Sequence, residues 1–337
     1  MATEESTPIG NRGVYAGDQE PGSNNISYLS LTTEGVAVDF GDLNFTSVLA
    51  SAVSSRTRGI FTHSWGPGNS QQNALDFVTI ATAGNGTDFG DRTIGTFNGT
   101  GSSNQTRGIF SGGHTPSLVD NMDYVTISST GNAIDFGDTY LGSIYSHRSC
   151  SNPTRMIMGG GGVPSNTNVI HYVTIASTGD SLDFGDLTSA RGNLISCGNA
   201  TRGFWIAGGS NTKTIDFVTT TTLGNASDFG DCGTANNRGS ASNAVRGIVG
   251  DTGSATFITI ATLGNTQDFT DTIGDRAYQT ACASRTRVVW GGGETAPPVN
   301  IMDFVQIMTQ GNAIDFGDLT DGRFNAFASS NGHGGLG

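Results

Sequence analysis

Lysine is almost missing from this chain. Of its 16 basic side chains only Lys213 is a lysine, and 29 acids leave a net charge of −13. A phosphate-binding surface needs clustered Lys and Arg, so no nucleic-acid partner is expected. Charged residues are only 13% and hydrophobic residues 35% of the sequence, both below the usual globular share. So little charge also speaks against ordinary disorder, which combines few apolar side chains with dense charge. No apolar run reaches the roughly 18 residues of a membrane span, so no membrane insertion is expected. The opening MATEESTPIG has no basic n-region and no apolar h-region, and no secretory signal is expected. The four cysteines, Cys150, Cys197, Cys232 and Cys282, lie far apart without a CxxC pair. A sustained 3.6-residue apolar period is also lacking, which predicts almost no helix.

What the sequence does have is glycine, 51 of them, and an internal repeat. Asp-Phe-Gly-Asp opens at Asp39, Asp88, Asp135, Asp183, Asp228 and Asp315, and Asp268-Phe269-Thr270-Asp271 is an altered seventh copy. The mean step is 46 residues. An Arg marker keeps pace with it, at Arg12, Arg58, Arg107, Arg155, Arg202, Arg246 and Arg287. So does an aromatic that leads a β-rich run, at Tyr28, Phe77, Tyr124, Tyr172, Phe217, Phe257 and Phe304. The aromatic precedes the first Asp by 11 residues in all seven copies, whereas the Arg-to-aromatic distance varies from 11 to 19. One loop therefore absorbs the length variation.

Each unit reads as four strands. In one copy these are residues 190–198 (small and apolar), 201–209 (ending in a glycine pair), 214–222 (threonine and aromatic) and 226–232, with a Leu223-Gly224-Asn225 turn before the last. Four antiparallel strands per repeat of about 40–50 residues are the signature of propeller blades. The expectation is an all-β, seven-bladed β-propeller. The smallest strands, such as ASAVSS (50–55) and QTACAS (279–284), belong nearest its axis. The first marker, Arg12, belongs to a second strand, and DGRFNAFASSNG (321–332) looks like a first strand. The C-terminal strand should therefore sit innermost beside N-terminal strands, closing the ring without an open edge. This gives residues 1–10 as an arm, 11–332 as the propeller and 333–337 as a tail.

The glycine pairs Gly112-Gly113, Gly208-Gly209 and Gly291-Gly292 resemble the double-glycine mark of kelch-type propellers. The Tyr and Trp that follow in kelch repeats are absent, Asp-Phe-Gly-Asp stands where the Trp strand would be, and Thr62-His63 and Gly250-Asp251 replace the pair in two blades. The longer wording, Asp-aromatic-Val-Thr-Ile through Gly-Asn to Asp-Phe-Gly-Asp, is similar to repeats in virion structural proteins of marine tailed phages, including cyanophages. That resemblance covers roughly residues 11 to 331. It implies a non-catalytic virion protein, tail- or surface-associated, with other virion proteins as partners and a host-surface glycan or receptor as a further one.

The residues offer little chemistry. Asp-Phe-Gly recurs without a kinase's Lys strand or His-Arg-Asp loop. Calcium needs about six to eight oxygen ligands, and each copy supplies two carboxylates. A structural role fits better: Arg58, Arg107, Arg155 and Arg202 paired with Asp88, Asp91, Asp135, Asp138, Asp183 and Asp186 in a ring of Arg–Asp contacts. The repeated Phe is expected between blades. The five histidines, His63, His114, His147, His171 and His333, show no metal-ligand spacing. Cys150, Cys197 and Cys282 hold equivalent places and read as buried free thiols. The run Gly159–Gly162 lacks the Lys-Ser/Thr of a phosphate loop. The Asn-x-Ser/Thr sequons, Asn85 and Asn199 among them, read as compositional. No cofactor and no metal site is expected.

Binding would fall to the loops between second and third strands, which should open on one face. The richest, residues 62–74, carries His63, Trp65 and Asn69; Trp65 either contacts a partner or folds back locally. His114 lies in the following blade's loop, and Pro297 stiffens the loop at 291–301. A glycan-binding or glycan-cleaving propeller is the alternative function, and would require carboxylates, or Arg and Tyr, converging on that face or the channel mouth.

Overall fold

The computed structural model describes residues 11–331 except 18–22, 48, 64, 67–69, 116, 164, 210–211, 234–238, 251–252 and 296. The expected arm (1–10) and tail (333–337) lie outside the described residues. Seven four-stranded antiparallel sheets make up the chain, with two small extra hairpins. Their innermost strands touch in a closed circle, which makes the molecule a seven-bladed propeller. Blade I combines Arg12–Ala16, Asn25–Ser30 and Val38–Asp42 with the C-terminal strand Phe327–Ser330. The seam runs antiparallel, with Val14 opposite Ser329 and Ala16 opposite Phe327. Blades II to VII then follow in order. In blade V the strands are Ile195–Gly198, Arg202–Ile206, Thr214–Thr219 and Ser227–Asp231, within the ranges expected from sequence.

The inner strands are small for two reasons. They crowd the axis, and their hydroxyls lace each strand to the previous one. Ser103 Oγ donates to the Ser54 carbonyl at 2.8 Å, Ser196 Oγ to Ser149 at 2.9 Å, Ser240 Oγ to Ser196 at 2.9 Å and Ser330 Oγ to Ala283 at 2.9 Å. Serine supplies a donor with almost no bulk, so the carbonyls facing the axis are satisfied by neighbours.

A β-bulge recurs at one place in every blade, and it explains Asp-Phe-Gly-Asp. In blade III, Met122 is opposite Gly137 and Asp123 opposite Asp135, so the outer strand has one extra residue, Phe136. The bulge turns that Phe inward, where it is buried and meets Tyr124 edge-on at 5.8 Å. The same pair forms in all seven blades, from Tyr28–Phe40 to Phe304–Phe316. Apolar clusters join each such Phe to the next blade, as Phe89 with Val125 and Ile127, so the Phe does pack between blades.

The Gly of the tetrapeptide lets adjacent blades close. Gly137 has φ of 132°, and a Cβ there would lie 2.5 Å from the Gly179 carbonyl carbon of blade IV. Because nothing intrudes, Gly179 N–H donates to the Phe136 carbonyl at 2.6 Å and Ser181 N–H to Asp138 at 2.9 Å. Blade VI, with Thr270 instead, shows the cost of a side chain. The turn it faces no longer has its glycine, Gly311, in the left-handed region. The Ala313 N–H to Asp271 carbonyl bond has stretched to 3.1 Å.

The repeated Arg does not meet the repeated Asp. Arg107 lies over the Tyr124 ring at 4.5 Å and donates from a terminal nitrogen to the Ile175 carbonyl of the next blade at 3.0 Å. Arg58 does the same with Phe77 and Ile127, Arg155 with Tyr172 and Thr220, and Arg202 with Phe217 and Ile260. The Asps lie on the outer rim. Asp88 and Asp135 each accept the N–H of the Gly two residues on. The N–H groups of Asp91, Asp138 and Asp186 donate to Asn132, Asp180 and Asn225 of the next blade. Asp183 is exposed at the same rim. The expected charge ring is therefore an Arg–aromatic–carbonyl ring, because the bulge faces the carboxylates outward while the guanidinium lies flat on its own sheet.

The sequon asparagines have structural work. Asn85 Oδ1 accepts the Asp42 N–H, and Asn199 Nδ2 donates to the Ala244 carbonyl while its Oδ1 caps Thr201 and Arg202.

Candidate functional site

The inner strands, all antiparallel to their own second strands, leave one mouth of the axial channel beside the second-to-third connections. Just before the inner strands come Leu49, Asn98, Ser146, Asn193, Tyr278 and Asn325, all non-glycine residues with φ between 50° and 56°. Their alignment has a reason. Asn98 N–H donates to the Leu49 carbonyl, Ser146 to Asn98, Asn193 to Ser146 and Asn325 to Tyr278 at 3.0–3.3 Å. The left-handed turn, normally unfavourable outside glycine, is held by these four peptide-to-peptide bonds. It rims a cavity of about 360 Å³ lined from all seven blades. A second cavity of about 290 Å³ follows along the axis, among Ser54, Ser102, Ser151, Ser242 and Ser330. Cys150, Cys197 and Cys282 border it, are buried, and burial pushes their thiols up to about 12.

Among the described residues the upper cavity is neutral and polar except at Arg148, on the inner strand of blade IV. Thr100 and Ile195 hold the equivalent places in the blades on either side. Arg148 is partly buried and donates from a terminal nitrogen to the His147 carbonyl at 3.2 Å. No carboxylate lies within ion-pair distance of it among the described residues. Burial lowers its pKa from the ordinary guanidinium value.

Beside the mouth, the connections of blades III and IV form an aromatic cluster. His114 stacks on Phe97 at 5.2 Å and meets the edge of Tyr145 at 5.1 Å. All three rings are partly exposed. Backbone bridges Phe97–His114 and Tyr145–Gly162 tie each loop to the approach of its own inner strand.

The other expected binding residues fall differently. His63 is fully buried, with Nε2 2.8 Å from Asp76 Oδ2, and is not a face residue. Asp76 also accepts the Asn44 N–H at 2.7 Å and its amide at 2.6 Å. Burial pushes the Asp76 carboxyl up, but His63 and Asn44 outweigh it and hold it below its ordinary value. Trp65 begins a short hairpin, Trp65–Gly66 with Ser70–Gln71. Asn69 lies outside the described residues. Pro297 is exposed, and its carbonyl accepts from Thr295 Oγ1 at 2.5 Å.

Sequence reasoning missed the buried charges. Asp123, Asp216 and Asp303 occupy the bulge position of alternate blades and are fully buried. Each is met by an arginine arriving from the blade before: Arg92 at 3.1 Å, Arg191 at 2.5 Å, and Arg276. Burial lowers Arg191 against the pull of Asp216, and burial raises Asp303 against the pull of Arg276. In blade IV the same position is His171, whose Nδ1 lies 2.8 Å from Ser181 Oγ beside the His147 ring. Burial lowers His171 to about 4, and burial with His171 and Arg148 lowers His147 well below its ordinary value. The signal was available: Asp precedes the aromatic in these modules, and a non-repeat Arg follows the preceding tetrapeptide.

No family model and no curated protein matches this chain. Among solved structures it is similar to one titled "Structure of YjhT", with a TM-score of 0.63 at 8% identity over 81% of this chain and 99% of that one. That likeness is one of fold alone.

Among the described residues no group of three or more His, Cys, Asp or Glu could hold a metal ion. Nor is any described helix long and apolar enough to cross a membrane. What the described residues of the site offer is shape, hydrogen bonds, three rings and one cation.

Proposed function

We propose that this protein is a non-catalytic virion component of a tailed phage, a rigid ring at the tail or particle surface whose loop face attaches to another virion protein or to the host surface. The observation that carries this reading is where the molecule is free to vary. Outer strands and third-to-fourth turns are bonded to the neighbouring blade through the backbone, and inner strands through serine hydroxyls. Length varies in the second-to-third connections, on one face. A scaffold fixed everywhere else and variable on one face is built for attachment. The similarity of the repeat wording to phage virion proteins supplies the setting.

Antibody raised against the recombinant ring, with gold labelling of purified phage particles, tests it. Label at a fixed position on intact particles is expected. Detection of the polypeptide by mass spectrometry in infected cells but not in purified particles would overturn the reading.

The Phe97–His114–Tyr145 cluster favours a second reading, host-glycan adhesion, because exposed rings stack on sugar faces. A glycan array hit that His114→Ala abolishes would support it.

A further inference from the structure

We infer that the upper end of the axial channel is a binding site for a small monocarboxylate, held by the Arg148 guanidinium. This stands apart from the virion reading, since the site is built by the ring itself.

The argument starts from charge. The chain carries −13 overall, yet the described groups lining the upper cavity include a cation and no carboxylate. An arginine taken partly out of water normally acquires an acid partner, because an unpaired buried charge is costly. Arg191 and Arg276 each have one. Among the described residues Arg148 instead has one bond, to a peptide carbonyl beside it. The rest of its planar fork is left for another acceptor, and a fork of N–H groups matches a carboxylate in two parallel bonds.

Size and lining narrow the class. About 360 Å³ falls within the range of small-molecule sites. The walls bring amide and hydroxyl groups from Asn98, Thr100 and Thr280. Several hydroxyls are already spent, as Thr100 on Ser149 and Thr280 on the Ala326 carbonyl. Among the described lining residues, one cation and neutral walls suit a single negative charge. A phosphate dianion would leave one charge uncompensated inside an acidic protein. The lowered Arg148 pKa agrees, because a bound anion would offset the cost of burial.

Saturation-transfer NMR on the full chain tests this with acetate, lactate and N-acetylglycine, against lactamide and inorganic phosphate. At least one of the acids is expected to bind with a Kd of about 1 mM, and Arg148→Met to weaken it about tenfold or more. Lactamide should give no signal. Arg148→Lys, which keeps the charge but loses the fork, should bind between the two and decides the matter if the Met variant does not fold. The inference is overturned if no acid binds the unmodified chain below 10-fold that Kd, if both folded variants bind as well as the parent, or if phosphate displaces the acids at equal concentration.

Discussion

The Arg191–Asp216 pair provides the sharpest measurement of what holds neighbouring blades together. Both side chains are almost wholly buried. Asp216 accepts Arg191 at 2.5 Å, Thr188 Oγ1 at 2.7 Å and the Thr188 N–H at 3.1 Å, while Arg191 also donates to the Thr214 carbonyl at 2.8 Å. Arg191→Met removes the cation and strands the carboxylate. Losing one partner of such a pair costs about 3–5 kcal/mol. For 337 residues the unfolding entropy is about 0.7 kcal/mol/K, so the melting temperature should fall by about 4–7 °C. Arg107→Met gives the comparison. It loses a cation–π contact worth about 0.5–1 kcal/mol and one charged hydrogen bond worth about 1.5 kcal/mol, so it should cost about half as much. The double variant Arg191→Met/Asp216→Leu removes both charges and should recover most of the loss, since apolar replacements of buried pairs are often neutral. Differential scanning calorimetry and urea titration would read all three. A double variant as unstable as Arg191→Met alone, or Arg107→Met costing more than Arg191→Met, would refute the account.

Other consequences are equally open to measurement. His171 is held at about 4, against an ordinary 6.5, by burial; below pH 6.5 the unfolded chain therefore takes the proton first, and stability falls until about pH 4. Between pH 7.5 and 5 the loss from His171 alone should be about 2 kcal/mol, and His171→Asn should flatten the urea midpoint's pH dependence. Asp76 acts in the same direction over a more acidic range: its lowered pKa stabilises the fold above the ordinary carboxylate value, and that contribution is lost as pH falls from there through the folded-state pKa, so the deficit of Asp76→Asn should shrink in acid. Gly137→Ala, with φ of 132° and a neighbouring backbone 2.5 Å away, should cost about 2 kcal/mol or more in chemical denaturation; a neutral result would show that the blades are not in register-locked contact there. Thiol titration with Ellman's reagent should find none of the four cysteines in the native protein at pH 8 and all of them in urea; rapid native labelling would contradict their burial.

The blade count, strand order and seam were legible because each has a local chemical cause repeated seven times. A fixed 11-residue spacing from aromatic to Asp is the length of one hairpin, and small residues near the axis follow from crowding. Partnerships across blades were not legible. Arg107 and Asp135 recur in step, but periodicity cannot say which way a side chain turns, and the bulge at Met122/Asp123 sends Phe136 inward and the acids out. His63 reads as a loop residue because it follows a strand in a polar run; its partner Asp76 is 13 residues away, on the third strand of the same blade. Arg148 was invisible for a different reason. Nothing in RSCS marks an arginine beside a ring's axis; only closure puts it there.

The alternate placement of Arg92–Asp123, Arg191–Asp216 and Arg276–Asp303 bears on how such a molecule assembles. Near-identical wedges invite docking of the wrong neighbour, a hazard of repetitive chains. Those three junctions carry a key and a lock, whereas blade II offers Asp76 to Asn44, blade IV has His171 with Ser181, and Arg323 meets Ser27 of blade I. A wedge that skipped a place would seat a guanidinium where no acid waits, and would be rejected by the penalty for an unanswered charge. The irregularities in the pattern thus serve as addresses, and they let seven copies of one motif find a single circular order.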